Sequence, residues 1–60
     1  MILLDFTNNE TIEFPSLFEA QMFIWDLALH GIFVSGIHCS DAEDIQSLED
    51  YILGLYQSIN

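Results

Sequence analysis

Lysine and arginine are absent from this chain of 60 residues, which carries ten aspartates and glutamates and a formal charge of −10. That absence excludes direct binding of nucleic acid, because affinity for a phosphate backbone comes chiefly from lysine and arginine releasing counterions. It also excludes docking on an anionic membrane, which repels such a chain. Within the chain the carboxylates have only His30, His38 and the terminal amine as cationic partners. An enzyme that stabilises an anionic intermediate lacks the cation to do so, and no glycine-rich phosphate loop is present.

Cysteine is nearly as scarce. Cys39 stands alone, so no internal disulfide can form, and a free thiol fits a reducing cytosol. The N-terminal segment has no basic region, and its apolar run is broken by Asp5, so no signal peptide is expected. No run of about 20 apolar residues spans a membrane. A cytoplasmic protein is the expectation. Metal binding is poorly supplied. Zinc wants four ligands at suitable spacing, and only His30, His38 and Cys39 are available besides carboxylates. The run SDAEDIQSLED lacks the alternating acids and central glycine of a calcium loop. His38 and Cys39 are adjacent on an expected strand, so they point to opposite faces and cannot form a nucleophile pair. No cofactor, no metal site and no enzymatic activity are expected.

Apolar residues, by contrast, are abundant, at 52%. A domain this small buries only about 60% of the surface its unfolded chain exposes. The surplus predicts a homo-oligomer, simplest as a dimer, or an obligate complex.

The stretch Ser16–His30, SLFEAQMFIWDLALH, predicts a helix that is apolar almost all round, around which the rest is built. Ser16-x-x-Glu19 is a capping box, and Gly31 suits the left-handed residue that ends a helix. Leu17, Phe18, Ile24, Trp25 and Ala28 share one face, and Glu19, Asp26 and His30 form a stripe opposite. The simpler reading buries this helix under neighbouring chain. In the alternative, Met22, Phe23 and Leu29 form a docking surface.

Ile2 to Phe14 predicts a hairpin turning at Asn8, Asn9 and Glu10. A three-residue loop there sets Leu4 opposite Phe14 and Phe6 opposite Ile12, keeping one face apolar. It also sets Asp5 opposite Glu13. Ile32–Cys39 predicts a third strand, weakened or bulged at Gly36, with undecided facing. Ser40-x-x-Glu43 predicts the cap of a second helix, with Ile45, Leu48, Ile52, Leu55, Tyr56 and Ile59 as its apolar stripe. Gly54 in that helix costs about 1 kcal/mol relative to alanine, which suggests close packing there. The sum is one α+β domain over residues 1–60, ordered ββαβα, with a three-stranded sheet and two helices packed on one face.

Unpaired acids repel one another and destabilise the compact state. Crowding raises carboxylate pKa values on folding, so stability is expected to rise with salt and with mild acid. A dense anionic domain also suits one kind of partner: a basic groove that normally grips nucleic acid. In size and charge the chain resembles the small phage-encoded inhibitors that mimic DNA, among them anti-restriction and anti-CRISPR proteins. The resemblance rests on composition and carries over no residue roles. The expected anionic contacts are Asp41, Glu43, Asp44, Glu49 and Asp50, with Asp5, Glu10 and Glu13 as a second patch. The alternative is a small adaptor or regulatory subunit that binds a protein through Met22, Phe23 and Leu29.

Overall fold

The structure, a computed structural model, describes residues 1–59. The elements are β1 (Ile2–Phe6), β2 (Thr11–Phe14), α1 (Leu17–Leu29), β3 (Val34–Cys39) and α2 (Ala42–Ile59). The order ββαβα and the small α+β fold are as the sequence predicts.

The organising element is β1, not α1. It lies in the middle of the sheet, in the order β2-β1-β3, antiparallel to both neighbours. Its inward residues Ile2, Leu4 and Phe6 are buried, and Leu4 is wholly so. Each contributes about 1.5–3 kcal/mol by leaving water. Since β2 and β3 both oppose β1, they are parallel to each other. The chain therefore crosses from one sheet edge to the other through α1. Both helices start at the end of the sheet where Ile2 pairs with Phe14 and Cys39. Both run back toward the hairpin loop. At that end Thr7 N–H donates to Phe33 O at 2.8 Å, and Val34 N–H donates to the Tyr56 hydroxyl at 2.9 Å.

The hairpin register differs from the expected one by two residues. Leu4 pairs with Ile12, and Asp5 pairs with Thr11 rather than Glu13. The loop is Thr7-Asn8-Asn9. Asn9 N–H donates to Phe6 O at 3.0 Å, Asn9 takes a left-handed φ of 69°, and Phe6 N–H reaches Glu10 O at 2.9 Å. This is the common three-residue connection that ends in a left-handed residue, and asparagine tolerates that conformation. A shift of two keeps the same side chains inward, so the apolar face survives. It replaces a like-charge cross-strand pair with a hydrogen bond.

The apolar stripe of α2 is as expected: Leu48 is completely buried, and Ile45, Ile52, Leu55 and Tyr56 are half-buried around it. The side chain of Ile59, the last expected member, lies outside the described part of the structure. The cap is Asp41 and not Ser40. Asp41 Oδ1 accepts from Glu43 N–H at 2.9 Å, and Asp41 O accepts from Ile45 N–H at 3.1 Å. Aspartate caps as well as serine and adds a charge that suits the positive end of the helix dipole. On α1 Ser16 caps as expected, accepting from Glu19 N–H at 3.3 Å, and Gly31 ends the helix at φ 79°.

Gly54 has no close neighbour: a methyl group added there meets nothing within 4 Å. The packing suggested by its presence is not found among the described residues. Gly54→Ala is expected to stabilise the domain by about 1 kcal/mol, the ordinary helix preference. A higher urea midpoint checks this, and a lower one would mean that something outside the fold uses the site.

Candidate functional site

α1 presents an apolar surface that only partly matches the Met22, Phe23 and Leu29 expected from the sequence. Its buried residues are small or single: Ala20, Ile24 and Ala28. The two alanines let the helix lie close on the sheet. Phe18 and Trp25, expected on the core face, instead stand 69% and 50% exposed. With Met22 at 57% and Leu29 at 58% they occupy positions i, i+4, i+7 and i+11. That spacing draws one narrow stripe along the helix. Phe18, Met22 and Trp25 also line a shallow cleft of about 400 Å³ with Gln21 of α1 and Tyr51 of α2. Met22 and Leu29, named from the sequence, belong to this stripe. Phe23 does not. It is 44% exposed but packs one side on Phe14, ring centroids 5.3 Å apart, on the far side of Glu19 and Asp26. The missed signal was the 4-3-4 spacing of Phe18, Met22, Trp25 and Leu29.

The acids do not form one patch. Asp41, Glu43, Asp44, Glu49 and Asp50 all lie on α2 or at its start. Glu43 and Asp50, seven residues apart, share its solvent face, about 10 Å apart along the axis. Glu49 and Asp50 line a second shallow groove, about 810 Å³, between α2 and the edge strand β3, with the exposed Leu53 beside them. The acids at the helix start have a local role, as cap and as charges at the dipole's positive end. Glu49 and Asp50 lie beyond that turn, where the dipole has little hold. Asp50 accepts from Gln46 Nε2 at 3.0 Å.

Asp5 and Glu13 stand on the other face of the sheet, turned away from both helices, and Glu10 sits at the hairpin end. Asp5 is well held. It accepts from Thr11 Oγ1 at 2.6 Å and from His38 Nε2–H at 2.8 Å. Gly36, opposite Asp5 on β3, leaves room for the carboxylate: a Cβ there would come within 2.9 Å of Asp5 Oδ2. Just beyond it the β1–β3 register shifts, which places the expected bulge at Ser35. The pairing also settles the facing of β3: His38 points outward with Asp5, and Cys39 packs half-buried against the core. Thr11, then His38, lowers the pKa of Asp5 from its ordinary 3.8. This is opposite to the expected effect of crowding. A lowered folded pKa gives stability that is present above 3.8 and lost as pH falls through the folded value. The melting-temperature difference between the native chain and Asp5→Asn is therefore expected to be present above the carboxylate range and to vanish in strong acid. A difference that persists there would assign the effect to shape, not charge.

Among the described residues no group of three or more His, Cys, Asp and Glu side chains is placed to hold a metal ion. Likewise no helix is long and apolar enough to cross a membrane. Set against protein-family models, curated proteins and solved structures, the chain matches none of them.

Proposed function

We propose that this chain is a non-enzymatic inhibitor that occupies the basic surface of a nucleic-acid-binding protein, in the manner of the phage-encoded anti-restriction and anti-CRISPR proteins that mimic DNA. The observation that carries the reading is the pair Glu49 and Asp50. They are exposed on the rim of the α2–β3 groove, without a helix-capping role, in a chain that has no lysine or arginine to neutralise them. Unrelieved repulsion is a cost to so small a fold. A cationic partner relieves it and is steered in by the same field. Asp41, Glu43 and Asp44 extend the field along α2. Asp5, Glu10 and Glu13 face elsewhere and serve only a partner that wraps the domain.

The test is capture from host lysate on the immobilised chain. The expected partner is a nucleic-acid-binding protein, retained at about 50 mM salt and released near 200 mM, where exposed charges are screened. Retention that ignores salt, or partners without basic surfaces, would overturn the reading. The exposed stripe on α1 favours a second reading, an adaptor whose binding is apolar and insensitive to charge reversal on α2.

A further inference from the structure

We propose that two copies of this chain pair through α1, the two helices side by side and parallel, with Phe18, Met22, Trp25 and Leu29 on the seam. The stripe has the alternating 4-3-4 spacing that keeps one seam facing a partner helix over successive turns. Its four members are uncharged, although one residue in six of this chain is acidic. A partner with basic groups would find no counter-charge on the seam itself. A second copy, which has no lysine or arginine to offer, needs none there.

The flanks decide the direction. One flank of the stripe carries Glu19, Asp26 and the C-cap His30, and the other carries Gln21, half-buried beside Tyr51 of α2. In a parallel pair, opposite flanks meet across the seam. Gln21 then lies across from Asp26 of the second copy, an amide able to donate to a carboxylate, and symmetry supplies this twice. An antiparallel pair brings like flanks together. Glu19 would then face Asp26 of the second copy, with no lysine or arginine to separate them. The parallel arrangement therefore avoids acid against acid, and the self-complementary patch that a twofold requires is already present.

The area is sufficient for a modest interface. At their observed exposures the four side chains leave roughly 500 Å² per copy in water. Two copies thus cover at most on the order of 1,000 Å², the threshold of a specific interface. The cleft beside Tyr51 adds a seat for the side chains of the second copy. Two bodies of charge −10 repel, so the dimer tightens with salt. That is the reverse of the salt response expected for capture by a basic partner. The dimer does not depend on the anionic reading, and either can fail alone.

Sedimentation equilibrium on the full chain tests it, from about 1 μM to about 1 mM, at low and high salt. The expected mass rises from 6.9 kDa toward twice that value, at lower concentration in high salt. The emission of Trp25, the single tryptophan, moves to shorter wavelength over the same range as water leaves it. Trp25→Gln and Met22→Gln, both at exposed positions, are each expected to keep the far-ultraviolet dichroism and remain monomers. Leu29→Cys in a Cys39→Ala chain is expected to form a disulfide-linked dimer on oxidation. In the antiparallel pairing the two cysteines would stand about 16 Å apart, beyond disulfide reach. A monomer throughout, a dimer that survives both glutamine variants, or a failure of Leu29→Cys to cross-link overturns the proposal.

Discussion

Leu48→Ala is expected to remove most of the domain's stability, whereas Leu53→Ala on the same helix is expected to be nearly silent. Leu48 is wholly buried and meets the core built on Ile2, Leu4, Phe6, Phe14 and Ile24. Truncating a buried leucine costs about 2–5 kcal/mol, the transfer term plus the cavity left behind. A domain of this length has roughly 3–9 kcal/mol in total. The melting temperature is then expected to fall by at least about 10 °C, or the cooperative transition to disappear. Leu53 is 60% exposed, and a surface change of this kind stays within about 0.5 kcal/mol. Equal losses at the two positions would mean that α2 is turned differently from its described placement, or that Leu53 is covered by a second molecule.

This contrast is also where the sequence was most legible. The stripe of α2 is periodic and bounded by polar residues, so its facing can be read directly. The facing of α1 cannot, because a helix apolar almost all round offers no polar face to orient it. The structure turns Ala20 and Ala28 inward and the large Phe18 and Trp25 outward, a choice made by how closely the helix must approach the sheet. The hairpin failed in a narrower way. Registers two residues apart bury the same side chains, so hydrophobic pattern alone cannot separate them. Turn chemistry decides, through the left-handed Asn9 and the Thr11–Asp5 hydrogen bond. The facing of β3 depended on pairing with β1, and no local pattern contains that.

Reversing the charge of Glu43, Asp44, Glu49 and Asp50 to lysine is expected to abolish capture of the basic partner while the fold persists. Each reversal changes the charge by two, so the four take the chain from −10 to −2. Loss of electrostatic steering alone slows association by about 10- to 1,000-fold. Glu43 and Asp44 also serve the helix start, and lysine there costs roughly 0.3–1 kcal/mol each. The pair Glu49→Lys and Asp50→Lys therefore separates binding from stability. It is expected to lose at least about tenfold in association rate, with little change in melting temperature. If that pair binds as well as the native chain, the carboxylates beside the α2–β3 groove are solvated ornaments of the fold and the adaptor reading takes their place.

The apolar stripe and the acidic helix divide the molecule into two kinds of surface. α1 offers contact area without charge. α2 offers charge without much contact area. A dimer built on α1 would present two copies of α2 to one partner, doubling the field without adding a residue.

The most direct measurement is competition. A fluorescent DNA duplex is bound to the captured partner, and the chain is titrated in while anisotropy is followed. Full displacement is expected, weakening steeply between about 50 and 200 mM salt and absent for the four-lysine variant. A chain that binds the partner while the duplex stays bound would contradict the account.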